Sequence, residues 1–430
     1  IHTLTYTSLL PLFIDTYSSI NSMSSLSELS SVPEVNIAAA SYEGSLFSWS
    51  SSSSSDSSRH PYELTMTSGF HCCAGSLRAV AVSKTGKYLV CGGTDERIRI
   101  FNMRTYSSLG ELSAHTGAIT CLEFFEDSYL LSGSEDCSVC IWRVHDWLCV
   151  HILGGHKAAV TSLSIHPSGK LALSTGKDNT LRLWNLVQGR CAFTRRLKGS
   201  AASIPGGLKW ERPDAANYMI VTGNRIEVFS AADNSLTTSF QYSSRVNEAD
   251  FLPSSVSTLS GAVVAVCEDK TLQVCGSDGQ RLQKVDLSGL GGRLRSFSCC
   301  HQGSTNKDFA AVVTSNGKIA LLNMRPLSES SQSVQLNDIL LASHSVKVEP
   351  RLTCTVCWIQ SGSKGSSGDT ESTIPAEEGT TNATHKRKRK GKSSVETERA
   401  SQPRVRFQED VDSSETKKSV KKKKAKTKSS

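Results

Sequence analysis

The sequence predicts an all-β fold built as a ring of seven small antiparallel sheets, followed by a basic tail with no core of its own. Three observations predict it. The first is a repeat: Asp136 and Asp178 are 42 residues apart, and so are Trp142 and Trp184. Each Asp precedes its Trp by six residues, and the same offset recurs in weaker form. It links Glu43 to Trp49, Asp95 to Phe101, Gly223 to Phe229, Asp269 to Cys275 and Asn316 to Leu322. The second is the pattern inside each unit. Alternating apolar runs of four to seven residues are separated by Gly, Asp and Asn turns, the signature of an antiparallel meander. The third is the change of composition near Ser361. Beyond it, Phe407 is the sole aromatic residue and Ser, Thr, Glu and Lys dominate, too little apolar surface to fold.

The units can be taken in order. Residues 1–22 have neither a basic first region nor a small-residue cleavage site and make a poor signal peptide. Met23, opening "MSSLSELSS", reads as a natural start, with 1–22 an extension of the gene model. Residues 1–32 are therefore expected to stand outside the fold as a disordered or spurious extension. Residues 33–360 hold the seven units, spaced 41 to 47 residues apart except the first step, Glu43 to Asp95, of 52. The serine run Ser50–Ser55 supplies that extra length. Within the fourth unit, "VTSLSIH", "LALST", "LRLWNL" and "RCAFTRRL" are four strands joined by "HPSGK" and "GKDNT". A lone four-stranded sheet cannot bury both faces; seven packed radially can, with few exposed edges. The first unit lacks its first strand, and "RLTCTVCWIQ" (351–360) is a first strand with no successors. Pairing the two closes the ring.

The repeats resemble the WD-repeat β-propellers, whose signature couples a Gly-His dipeptide to a later Trp-Asp. Here it reads Gly155-His156 with Trp184-Asn185, and Ala114-His115 with Trp142-Arg143. Within that family, "LSIHPSGKLALSTGKDNTLRLWNLVQGRCAF" resembles the central repeat of the PAK-interacting proteins, a set of nucleolar WD-repeat proteins. "ITCLEF", "LLSGSEDCSVCIW", "RIEVF" and the closing "RLTC…W" are similar in the same order, from Val35 to Trp358. The resemblance implies a nucleolar assembly factor for the large (60S) ribosomal subunit, partnered by pre-ribosomal proteins and precursor particles and active in pre-rRNA processing. For animal members it also implies inhibition of p21-activated kinases.

His156, Ser174 and Asp178 are the residue types of a hydrolase triad. With Trp184 they also make the structural tetrad that the resemblance implies, chained Asp to His to Ser to indole. His115, Ser132, Asp136 and Trp142 repeat it one unit earlier. A catalytic site is rarely built twice at a fixed period, and it would need an oxyanion hole and a cleft. No G-x-S-x-G elbow and no P-loop is spelled in the chain. The expectation is a scaffold, not an enzyme, with no cofactor and no metal. Cys137/Cys140 and Cys354/Cys357 have C-x-x-C spacing but are expected on strands, where residues three apart face opposite ways. "CCH" at Cys299–His301 reads as loop, and "GLGG" at Gly289–Gly292 as an inter-strand loop. The fourteen cysteines, irregularly spaced in apolar segments, are expected as reduced thiols of an intracellular protein. No apolar run is long enough to cross a membrane as a helix. The residues just before each turn position, Thr94, Glu135, Lys177, Glu268 and Ser315, are the candidate contacts on one rim.

The formal charge of +8 is uneven. Residues 361–430 carry 18 Lys and Arg against 10 Asp and Glu, leaving 30 of each in the remainder. Two blocks stand out: Lys386, Arg387, Lys388, Arg389 and Lys390, and the longer run 417–428 that includes Lys421, Lys422, Lys423 and Lys424. They predict nuclear and nucleolar targeting and salt-sensitive, sequence-blind contact with RNA; a plain solubilising tail is the alternative. "RVRF" has the spelling of a phosphatase docking peptide, in which Val405 and Phe407 would fill two pockets beside Arg404. The rival functional readings are a signalling adaptor restraining a kinase and an enzyme using His156.

Overall fold

The structure, a computed structural model, describes residues 34–53, 62–197, 205–252, 261–302, 307–329, 333–347 and 349–359. They form seven four-stranded antiparallel sheets. Blade 1 contains Val35–Ser41, Ser45–Ser53 and Tyr62–His71, and its innermost strand is Leu352–Ile359, paired from Val35↔Ile359 to Ser41↔Leu352. The ends of the fold are thus closed by strand pairing, as the half-units at either end require. Blades 2 to 7 span 77–112, 119–154, 160–196, 205–241, 246–286 and 294–345, each a simple meander from the inside outward.

The repeat phase has a backbone counterpart. In every blade the register shifts between the third and fourth strands at one place: Ser48/Trp49, Ile100/Phe101, Ile141/Trp142, Leu183/Trp184, Val228/Phe229, Val274/Cys275 and Leu321/Leu322. These are the seven residues marked by the six-residue offset. A bulge there bends the outermost strand and raises its twist, so equivalence survives in blades whose signature side chains have decayed.

Burial follows from sheet-on-sheet packing. Second strands are covered on both faces and read as continuous apolar runs, such as fully buried Val263–Cys267. Outermost strands see solvent and alternate, as Leu148–Gly154 does. The buried side chains fall into seven clusters, one between each pair of neighbouring blades. Leu131, Val139, Val160 and Trp184 join blades 3 and 4; Ala38, Leu46, Leu77 and Leu89 join blades 1 and 2. Among the described residues the core is divided between these seven seams. The seven innermost strands contact one another in a ring around a channel of about 650 Å³.

Three local expectations change. Cys299–His301 is not loop: it belongs to the innermost strand Leu294–Gln302 of blade 7. Its two thiols and imidazole look like loop chemistry, but pairing with Lys307–Thr314 holds them extended. Cys137 is not on a strand but in the turn before one, with φ of 70°. The serine run is only partly an insertion, since Ser50–Ser53 continue a strand paired with Tyr62–Thr65. Gly289–Gly292 lies between blades 6 and 7 and includes the end of a 3-10 turn, Ser288–Leu290.

Candidate functional site

The two histidines with candidate roles lie just before the inner strands of blades 3 and 4, and each closes a buried chain of hydrogen bonds. In blade 3, His115 Nδ1 is 2.8 Å from Asp136 Oδ2, and its Nε2 is 2.8 Å from Ser132 Oγ. The Trp142 indole N–H donates to the same Ser132 Oγ at 2.8 Å. In blade 4, His156 Nδ1 is 3.1 Å from Asp178 Oδ2, His156 Nε2 is 2.7 Å from Ser174 Oγ, and Trp184 Nε1 donates to Ser174 Oγ at 2.8 Å. The carboxylate accepts, so Nδ1 carries the proton. Nε2 then accepts from the serine hydroxyl, which in turn accepts from the indole.

Each carboxylate also gathers backbone donors. Asp178 accepts from Lys157 N at 2.8 Å, Thr180 N at 3.1 Å and the Thr180 hydroxyl at 2.7 Å. Burial opposes ionisation of Asp178, but the bonds from Lys157 and Thr180 and the nearby His156 outweigh it and hold the carboxyl below its ordinary range. Asp136 is held low against its burial in the same way, by Ser138, His115 and Thr116. Burial pushes the His156 imidazole down, so it stays neutral. Ser132 and Ser174 have no exposed surface at all. A serine hydroxyl saturated by histidine and indole, with no route to solvent, has no place for a substrate. The tetrads fix turns to strands, and this geometry fits a non-catalytic scaffold.

Other blades keep only fragments. In blade 2, Asp95 pairs with Arg99. In blade 6, Asp269 is bonded by the Thr271 hydroxyl at 2.7 Å. In blade 1, Trp49 remains fully buried, but Ala39 stands where Ser132 and Ser174 stand in their blades, and the Trp49 indole nitrogen has no hydrogen-bond partner among the described residues. Glu43 instead clasps Arg351 at 2.7 Å across the ring closure.

The five rim candidates occupy one repeated position. Thr94, Glu135, Lys177, Glu268 and Ser315 each donate their backbone N–H to the carbonyl of the residue just before their own blade's inner strand, at 2.8–3.0 Å. Four are exposed and Ser315 is half-buried. Glu135 is bridged by Arg78 of blade 2 at 2.9 Å and approached by Lys177 of blade 4 at 3.9 Å. The residues of both lysine-rich blocks, from Lys386 and from Lys417, lie outside the described residues, as do Arg404, Val405 and Phe407.

A set of channel residues escaped the sequence reading. Inner strands are sheet edges, and side chains of the preceding blade satisfy their N–H groups. Glu123 accepts from Ile165 N at 3.1 Å, Ser164 from Trp210 N at 3.0 Å, Glu248 from Phe297 N at 2.9 Å and Ser296 from Thr355 N at 3.0 Å. Burial pushes the Glu123 and Glu248 carboxyls up. Burial also opposes charge on Lys209, but Asp250, Glu123 and Glu248 around it prevail and raise its pKa. The available signal was a polar residue interrupting an inner strand, legible only once the inner strands are known. Among the described residues no group of three or more His, Cys, Asp or Glu side chains is arranged to hold a metal. No described helix is long and apolar enough to cross a membrane.

Comparison with known proteins agrees with this geometry. The family "WD domain, G-beta repeat" matches residues 64–102, 106–143 and 147–185. Each match begins with the outermost strand of one blade and runs through three strands of the next, so the covalent repeat straddles two sheets. A protein of Gallus gallus named "p21-activated protein kinase-interacting protein 1-like" is 35% identical over 305 residues, covering 71% of this chain and 76% of the relative. This chain belongs to that family. Its Homo sapiens member, "p21-activated protein kinase-interacting protein 1", is 35% identical over 249 residues, 55% of this chain and 62% of that protein. "Protein MAK11" of Saccharomyces cerevisiae is 36% identical over 145 residues, 30% and 35% of the two chains.

Proposed function

We propose that this family member is a scaffold in nucleolar biogenesis of the large ribosomal subunit and in pre-rRNA processing. The observation that carries the reading is the division of charge: 361–430 holds 18 basic and 10 acidic residues, in two lysine blocks, beside a remainder with 30 of each. Such blocks suit nucleolar targeting and salt-dependent contact with RNA phosphates. The rigid ring, with many turns on two faces, suits several pre-ribosomal partners at once. The family resemblance supplies the large-subunit precursor particle as the assembly these contacts serve.

The relatives' names favour a second reading, an adaptor that binds a p21-activated kinase, with inhibition as the action that the family resemblance adds. One experiment separates the two. The full-length protein is tagged and purified with its bound RNA, and cells depleted of it are profiled on sucrose gradients. The assembly reading expects large-subunit precursors to fall while small-subunit processing continues, with pre-rRNA in the purified material. A normal large-subunit profile together with a co-purifying kinase moves the assignment to the adaptor. Removal of 361–430 is expected to abolish nucleolar enrichment while protein partners are retained at high salt.

A further inference from the structure

The charge of the folded part cancels in total but not in place. Residues 116–153, with blade 3, hold six acidic side chains and one basic, and the neighbouring stretch 154–197, with blade 4, holds seven basic and one acidic. The fold neutralises the first excess. Glu135 and Glu126 pair with Arg78 and Lys84 of blade 2 at 2.9 and 2.6 Å, Glu123 pairs with Arg212 at 3.0 Å, and Asp146 pairs with Arg143. It leaves the second standing. The acid of blade 4, Asp178, is committed to His156. Lys177 comes only within 3.9 Å of a Glu135 oxygen that Arg78 already holds. Lys157, Lys170, Arg190 and Arg196 are exposed and have no acidic partner among the described residues.

These cations surround an open edge. Arg190–Arg196 is the outermost strand of blade 4, paired on one side only. Lys157, Lys177 and Arg196 cluster at one end: the first two flank the Asp178 turn, and Arg196 pairs with Thr180 just after it. Lys170 and Arg190 mark the other end, about 20 Å away at strand rise, where Leu186 N bonds Lys170 O and Arg190 pairs with Asn185. Between them Phe193 leaves 47% of its surface exposed; by the register it shares a sheet face with Arg190, while Arg196, three residues on, projects to the other. A polyanion crossing this open edge meets uncompensated cations on both faces and, on the Arg190 side, an aromatic ring on which a base can stack.

The geometry points to the outer edge of blade 4 as a binding surface for single-stranded RNA, separate from the lysine-rich tail. Phe193 favours nucleic acid over an acidic peptide, because a base offers a π-face and a carboxylate does not. The surface stands whether or not the protein serves ribosome assembly.

The test uses full-length protein and a fluorescein-labelled oligouridylate, with affinity measured across a salt series. The triple variant Lys157→Gln, Arg190→Gln, Arg196→Gln is compared with a charge-matched control, Lys284→Gln, Arg293→Gln, Lys347→Gln, so the tail contributes equally to both. The plot of log affinity against log salt is expected to be shallower for the blade 4 triple by about 2 units, at roughly 0.7 for each phosphate no longer neutralised, and unchanged for the control. Phe193→Ala is expected to weaken binding several-fold without changing the slope. Equal slopes for the two triples overturn the proposal. Tighter binding of oligoglutamate than of oligouridylate through the same three cations overturns it in favour of an acidic protein partner. If the triple does not fold, wild-type protein is photo-crosslinked to 4-thio-oligouridylate. Adducts on the peptide carrying Phe193 support the surface, and adducts confined to 361–430 refute it.

Discussion

Replacing Asp178 with alanine removes the carboxylate on which blade 4 closes. Four donors lose their acceptor: His156 Nδ1 at 3.1 Å, Lys157 N at 2.8 Å, Thr180 N at 3.1 Å and the Thr180 hydroxyl at 2.7 Å. Their losses are unequal. The Lys157 and Thr180 donors lie near the rim and can turn to water. The His156 side chain has no exposed surface, so its N–H exchanges a carboxylate acceptor for the neutral Thr180 hydroxyl alone, at 3.2 Å. Loss of a charged acceptor by a buried donor costs about 1–3 kcal/mol, and that sets the expected loss. In a domain of about 300 residues, at roughly 2.1 cal/mol/K of unfolding entropy for each, it lowers the melting temperature by roughly 2–5 °C. Calorimetry reads the total, and hydrogen exchange should show the loss concentrated in the turns and strands of blade 4. Ser174→Ala should cost a similar amount, and the double variant less than the sum, because both disable one chain of bonds. A wild-type melt for Asp178→Ala, with loss of an esterase or protease activity, would refute the structural assignment and restore the triad.

Removing Arg351 to Gln360 should leave the protein insoluble or unfolded, because Val35–Ser41 would lose its partner and expose a sheet edge; removing 361–430 should leave the melt unchanged, and a soluble 351–360 deletion with a normal melt would contradict the closure. Gly86→Ala should cost about 1–3 kcal/mol by overpacking, since its new methyl group would fall 2.4 Å from the Trp358 indole nitrogen and Gly86 has φ of 73°; a neutral result in urea titration would mean that the turn can move off the closing strand. Stability should also fall with acid in two stages. Burial holds the folded His156 below its ordinary 6.5, so the unfolded chain gains its proton first and stability declines once pH drops below that value. Asp136 and Asp178 are held below 3.8, so the stability they confer is complete above it and is lost as pH falls through their lowered values. The raised Glu123 and Glu248 carboxyls act in the opposite sense and the lowered His166 in the same one, so the His156 stage is read as the difference in urea midpoint between wild type and His156→Gln; a difference that does not change between pH 7 and 5 would remove the His156 contribution.

The sequence by itself determined the blade count, the phase of the repeat and the closing strand. Those depend on local information: alternation selects strands, turn residues punctuate them, and the Asp-to-Trp offset recurs whether or not the side chains survive, because a backbone bulge lies beneath it. It also carried the tetrads, since four residue types at two fixed spacings on a known meander leave few ways to meet. It misjudged Cys299–His301, where residue chemistry outweighed pattern and the pairing partner was needed to recognise a strand. What only the tertiary structure decided is which groups meet across blades. Gly86 lies under Trp358, Trp49 finds no acceptor among the described residues beside Ala39, and Glu135 finds Arg78 across 57 positions of chain. Charge shows the distinction most clearly. A sum over the sequence gives a neutral body, because addition ignores position. The fold pairs the acids of blade 3 with the bases of blade 2 and leaves blade 4 positive, because ion pairing falls off over a few ångströms and only the packing of one blade against the next sets those distances.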